Sequence, residues 1–199
     1  MNMKKVGLFF GSFNPIHIGH LVIASHIAES ELVDEVWFVV SPQNPFKEKK
    51  SLLEDYHRLA LVNEAIEEED RLKSCDIEFT MPKPSYTSDT LAYLMDKYPK
   101  NEFSLIMGED NIKSFHKWKN YETILSNHSI VVYPRLGVND HLQADKGILA
   151  HTNVRLLEDI PVMKISASYI RKRIKEGKSV RYLLTEKVAK YVDEMNFYR

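Results

Sequence analysis

The chain has 199 residues, of which 44% are hydrophobic and 28% charged, and a formal net charge of -1. This fits one soluble globular domain spanning residues 1–199, long enough to bury a sizeable core. The near-neutral charge speaks against broad capture of nucleic acid or of an anionic membrane. The single cysteine, Cys75, excludes an intramolecular disulfide and fits a cytoplasmic setting, and no apolar run reaches secretory-leader or transmembrane length.

Short β-rich runs alternate with helical patterns, and no repeat, low-complexity segment or Gly/Ser linker divides them. The runs are Lys5–Phe10, Glu35–Ser41, Leu72–Ile77, Phe103–Met107 and Ser129–Tyr133, with Val154–Leu157 weaker. Most are continuous apolar stretches, as parallel strands covered on both faces require. Right-handed crossovers then give an α/β fold, a doubly wound, Rossmann-like parallel sheet with helices on both faces.

The first run leads into Gly11-Ser12-Phe13-Asn14-Pro15-Ile16-His17-Ile18-Gly19-His20, followed by the helical pattern of Leu21, Val22, Ile23 and Ala24. This is strand, tight loop and helix, at the sheet edge where open α/β folds bind ligands. Gly11 lets the backbone approach a ligand, and the helix start offers N–H groups that suit phosphate. His17 and His20 share a helix face if the helix has begun by His17. On its own, a pair of histidines so spaced is more often an ordinary solvated turn.

The second run ends in Ser41-Pro42-Gln43-Asn44-Pro45-Phe46-Lys47, where Lys47 either reaches a phosphate or stays in solvent. Ser51-Leu52-Leu53-Glu54 fits a capping box, with Leu59, Val62 and Ile66 following at helical spacing. Glu67 to Asp70 reads as a solvated acidic run. Pro84-Ser85-Tyr86-Thr87-Ser88-Asp89-Thr90 offers hydroxyls to cap a helix over 88–98, or a helix start for an anionic group. Gly108-Glu109-Asp110 ends the fourth strand, with Asp110 placed to cap a helix or accept a ribose hydroxyl. Trp118, among His116, Lys117 and Lys119, reads as a ring exposed in a cleft for stacking.

From Pro134 to Gly147 the periodicity fails, which predicts a mobile loop. In Ile165-Ser166-Ala167-Ser168-Tyr169-Ile170-Arg171-Lys172-Arg173-Ile174, serines precede a helix with Ile170 and Ile174 facing inward. Hydroxyls, amides and a guanidinium there can hold a polyphosphate; alone, the segment is also a capped helix with a basic solvent face. Arg173, Lys175 and Lys178 belong to that solvent face. A last helix over 185–195 puts Val188, Tyr191, Val192 and Met195 on one side. His17, His20 and Cys75 form no recognisable zinc set, and no nucleophile elbow is present.

The Gly11–His20 segment resembles the GxFxPxHxGH signature of the nucleotidyltransferase superfamily, whose HxGH core also marks class I aminoacyl-tRNA synthetases. Five other segments extend the match: Pro42–Lys47, Pro84–Thr90, Gly108 with Asp110, Lys117-Trp118, and Ser166-x-Ser168-x-Ile170-Arg171. With them the chain resembles bacterial nicotinate-nucleotide adenylyltransferases nearly end to end. It departs from the common pattern at Phe10, Ser12, Ser88 and Ala167, and in the order Tyr133-Pro134-Arg135.

The resemblance implies transfer of AMP from ATP to nicotinate mononucleotide, giving deamido-NAD and pyrophosphate. It implies that His17, His20 and Arg171 carry catalysis. ATP would be bound by Gly11, Ser12, Phe13, His17, Gly19, His20, Gly108, Asp110, Ser166, Ser168, Ile170 and Arg171. The mononucleotide would be bound by Ser12, Phe13, Asn14, Lys47, Tyr86, Thr87 and Trp118. Mg2+ would arrive on ATP, with no protein metal site. Alternative acceptors are nicotinamide mononucleotide or another phosphomonoester such as phosphopantetheine. A reading of another class is an RNA-binding relic of a class I synthetase, since Met163–Ser168 echoes the KMSKS loop.

Overall fold

Pairing of the apolar runs builds a six-stranded parallel sheet, seen in a computed structural model that describes residues 3–42, 52–134, 146–161 and 163–199. In chain order the first elements are β1 (Lys4–Gly11), α1 (Ile18–Glu29), β2 (Glu35–Val40), α2 (Asp55–Ile66), β3 (Leu72–Cys75) and α3 (Thr87–Lys97). Then come β4 (Asn101–Gly108), α4 (Glu109–Phe115), α5 (Tyr121–Asn127) and β5 (Ile130–Tyr133). The chain continues through α6 (Lys146–Leu149), β6 (Val154–Leu156), α7 (Ala167–Lys175) and α8 (Glu186–Glu194). The strand order is β3-β2-β1-β4-β5-β6, the doubly wound arrangement expected. Its direction of winding reverses between β1 and β4, which opens a crevice at their carboxyl ends, where Gly11 and Gly108 stand.

The two-residue period of the strands sends alternate side chains into two cores. Phe9, Val36, Phe38 and Val40 join one core with α1, α2, α7 and α8, through Ile27, Leu61, Ile170 and Val188. Val6, Leu8 and Val39 join the other with α3 to α6, through Leu94, Phe115, Ile124 and Ile148. Both faces of the sheet are therefore apolar, which is why the strands read as unbroken hydrophobic runs.

Several local details differ from the sequence-based expectations. β3 stops at Cys75, and Ile77–Thr80 form a 3-10 turn that carries Glu78 inward. α2 begins at Asp55 with Glu54 at its N-cap and no side-chain cap, while Ser51 of the expected capping box lies outside the described residues. The buried stripe of α2 is Arg58, Leu61, Val62 and Ile66, and Leu59 is only half-buried. The acidic run is not simply solvated: Glu67 and Glu68 each accept from Lys187 Nζ at 2.7 Å, linking the end of α2 to α8. Such exposed pairs add little stability. Met195 is exposed because α8 ends before it, whereas Val188 and Val192 are buried as expected. Of the segment expected to be a loop, residues 135–145 lie outside the described residues and 146–149 are helical. Among the described residues no helix is long and apolar enough to cross a membrane.

Candidate active site

The turn after β1 is shaped by a ring folded back on it. A Cβ at Gly11 would stand 2.7 Å from Phe13 Cζ, so only glycine leaves room for that aromatic ring. Phe13 holds φ at +43°, a left-handed conformation that costs a non-glycine residue on the order of 1–3 kcal/mol. The ring offsets that cost by burial: it is 2% exposed and packs edge-on against Phe38 at 5.3 Å and His20 at 5.2 Å.

His17 is the N-cap residue of α1 and is buried, so the helix has begun early enough for both histidines to share a face. Their rings stack at 3.7 Å with 21° between planes. The His17 backbone N–H donates to His20 Nδ1 at 3.3 Å. A ring nitrogen that accepts is unprotonated, so neutral His20 carries its proton on Nε2 and presents it as a donor. Gly19 is fixed by the same packing. A Cβ there would lie 3.1 Å from His17 Nδ1 and 3.6 Å from Cβ of Ile165, just ahead of α7.

That approach brings the start of α7 against the start of α1. Ser166 caps α7, its hydroxyl accepting from the Tyr169 N–H at 3.2 Å. Arg171 is half-buried; its Nη1 donates to the Asn14 carbonyl at 2.8 Å and its Nη2 to Ser168 Oγ at 3.2 Å. Ile170 is fully buried beneath it and anchors the helix. Arg173 turns away to the Ser179 carbonyl, and Lys178 pairs with Glu176, as a solvent face requires.

A second group of residues forms around the start of α3. Tyr86 occupies its N-cap and gives no side-chain cap, so the hydroxyls of this segment do not cap the helix. Instead Ser85 Oγ and Thr90 Oγ1 both donate to the buried Glu78 carboxylate at 2.8 Å. Thr87 is the first residue of the helix. Lys119 Nζ donates to Asp89 Oδ2 at 2.9 Å and lies 4.8 Å from the Tyr86 ring centroid, which ties the Trp118 turn to α3. Trp118 is half-buried, edge-on against Phe115 at 5.4 Å, so its ring is less open than its polar neighbours suggested. Gly108 is the N-cap of α4, with Glu109 buried and Asp110 exposed in the first turn. Lys47 and Arg135 lie outside the described residues.

Three residues outside the sequence-derived set shape this region. Arg58 has no solvent exposure and gives its donors to backbone carbonyls: Ser12 at 2.7 Å, Ser41 at 2.8 Å, Leu53 at 2.9 Å and Pro42 at 3.4 Å. Burial lowers its pKa from the ordinary arginine value, against the opposing pull of Asp55, Tyr198 and Glu54. Its signal in the sequence was an arginine in register with Leu61 and Val62. Glu78 gave no signal, because it fell beside an expected strand. Tyr198, whose hydroxyl donates to Asn14 Oδ1 at 2.7 Å, depends wholly on the path of the chain after α8.

Known proteins share the sequence and the fold of this chain. Residues 8–173 match the Cytidylyltransferase-like family. The chain is 54% identical over 195 residues to the probable nicotinate-nucleotide adenylyltransferase of Flavobacterium psychrophilum, covering 98% of this chain and 99% of that one. It is 53% identical over 196 residues to the protein of the same name from Christiangramia forsetii, with 98% and 99% covered. Among solved structures, the Plasmodium falciparum nicotinic acid mononucleotide adenylyltransferase complexed with NaAD superposes with a TM-score of 0.79. That match covers 98% of this chain and 97% of that one at 21% identity, a likeness of fold.

Replacing Arg58 by Met keeps the bulk of the side chain but removes the donor to these carbonyls. Buried acceptors left without a donor cost about 1–3 kcal/mol each, so Arg58→Met is expected to lose at least about 3 kcal/mol. Urea unfolding of the variant beside the wild type measures this, and an unchanged midpoint would contradict it.

Proposed function

The chain belongs to the nicotinate-nucleotide adenylyltransferase family, and from that premise we propose how its own residues carry AMP from ATP to nicotinate mononucleotide. The products are deamido-NAD and pyrophosphate. The observation that carries the assignment of roles is the meeting of two helix starts, α1 and α7, across Gly19, with Arg171 bonded to the carbonyl of the turn between β1 and α1.

A phosphate monoester has its second pKa near 6, so the acceptor is already an anion at neutral pH and needs no general base. Its oxygen attacks the α-phosphorus of ATP in line. The new P–O bond forms as the bond to the bridging oxygen breaks, and that electron pair leaves with pyrophosphate. Catalysis is then positioning together with neutralisation of charge on the phosphate oxygens. Gly11, Ser12, Phe13, His17, Gly19 and His20 form the ATP phosphate side, with the His20 Nε2 proton as a donor. Ser166, Ser168 and Arg171, held by Ile170, receive the leaving pyrophosphate. Gly108 and Asp110, at the end of β4, face the nucleoside. Mg2+ arriving with ATP would supply further neutralisation of that charge.

Ser12, Phe13, Tyr86, Thr87 and Trp118 take the mononucleotide. A cytoplasmic setting fits a chain whose single cysteine, Cys75, is a free thiol. Pyrophosphate release from ATP tests the function directly: it should require nicotinate mononucleotide, and release indifferent to the acceptor would overturn the reading.

Gly19→Ala probes the packing between the two helix starts. Alanine favours a helix over glycine by about 1 kcal/mol, which opposes the steric cost of a methyl pressed on His17. The melting temperature should therefore stay near that of the wild type while kcat/KM for ATP falls about tenfold or more, through displacement of the histidine. Wild-type kinetics in Gly19→Ala would show that the His17 ring position is unimportant.

Acceptor choice follows from the chemistry at α3. Nicotinate brings a carboxylate to a helix start, whereas the amide of nicotinamide would set its NH2 against donors. An unpaired polar group costs about 1–3 kcal/mol, and the lost ion–dipole attraction adds to that. A preference of at least about a hundredfold in kcat/KM is expected, at about 1.4 kcal/mol per decade. Thr87→Val should narrow it. Competing the two mononucleotides in one assay reads the ratio, and a value near one would remove this role from α3.

A further inference from the structure

Residues 196–199 follow α8 in a conformation that needs support. Asn196 and Tyr198 hold φ at +55° and +65°, a region that non-glycine residues keep only when their surroundings hold them there. The Phe197 N–H donates to the Val192 carbonyl at 3.0 Å, and the Phe197 ring sits against His57 with centroids 4.7 Å apart. The Tyr198 hydroxyl donates to Asn14 Oδ1 at 2.7 Å. Burial pushes the phenol's pKa up, against the pull of the Arg171 and Arg58 guanidiniums, so the hydroxyl remains a donor.

Asn14 is where three parts of the molecule meet. Its Oδ1 also accepts from the Leu53 N–H at 3.3 Å, at the entrance to α2. Its carbonyl accepts from Arg171 Nη1 at 2.8 Å. Asn14 is 3% exposed, so it cannot swing into solvent for other partners. A shift of this residue moves the acceptor that orients the guanidinium.

We propose that Tyr198 is a positioning residue for adenylyl transfer: its hydroxyl fixes Asn14, and the Asn14 carbonyl in turn fixes the Arg171 guanidinium. This rests on the assignment of Arg171 to the leaving pyrophosphate. A guanidinium fork grips two phosphate oxygens only in one plane, and small displacements of a catalytic group are costly in rate. The Tyr198 side chain touches no reacting atom; it acts through the turn.

The test is steady-state pyrophosphate release by Tyr198→Phe, which removes one oxygen. kcat should fall about tenfold, the worth of one hydrogen bond, while KM for nicotinate mononucleotide stays within about twofold. Tyr191→Phe is the control. Its hydroxyl also lies in a partly buried contact, 3.3 Å from His57 Nδ1, but not with Asn14, and its kcat should match the wild type. A double-mutant cycle decides the route: in an Arg171→Lys background, Tyr198→Phe should cost less than about twofold. A full tenfold loss in that background would overturn the proposal, as would a wild-type kcat in folded Tyr198→Phe. If Tyr198→Phe does not fold, Asn14→Leu removes the same bond from the other side and should lower kcat at least as much; an unchanged kcat there also overturns it. Failure of the underlying assignment looks different, because Arg171→Lys alone would then leave pyrophosphate release unaltered.

Discussion

A guanidinium without solvent holds the chemistry of this protein in place. Arg58 lends its donors to the carbonyls of Ser12, Ser41, Pro42 and Leu53, and so joins the chain leaving β1, the chain leaving β2 and the chain entering α2. These are backbone segments with no regular ladder to satisfy them, and each buried carbonyl needs a donor. One side chain meets that need at the edge where the sheet meets its ligands. It does so with a positive charge, which favours phosphate nearby although the whole chain carries a formal charge of -1.

Above that anchor the turn is built by exclusion. Gly11 is open so that the Phe13 ring can fold back, and Gly19 is open so that the His17 ring can pass. Phe13 then accepts an unfavourable backbone conformation in exchange for burial among Phe9, Phe38 and His20. Neither glycine contacts a ligand through a side chain. Their value lies in the rings they admit, and those rings set where the two histidines stand.

The sheet was legible because strands covered on both faces leave continuous apolar runs, and the turn into α1 and the Ser166 cap of α7 were legible because such junctions are written in residues close together in sequence. Arg58 was hidden for the opposite reason: its partners are main-chain carbonyls, which every residue has and no sequence pattern marks. Glu78 was hidden because a short edge strand gave way to a 3-10 turn. Its carboxylate then took the Ser85 and Thr90 hydroxyls that had looked like helix caps. Tyr198 could not be read at all, since nothing local says where residues 196–199 turn. The acidic run after α2 looked solvated because its partner, Lys187, lies about 120 positions away on another helix.

The bonds that converge on Asn14 also bear on the order in which the molecule acquires its parts. Arg171 and Tyr198 reach it from 157 and 184 positions along the chain. Closing loops of that length is entropically demanding, and contacts so far apart in sequence form late in folding. While the chain is still being made, the turn between β1 and α1 is without these two distant partners. The support of this turn is thus completed by residues that are among the last to leave the ribosome.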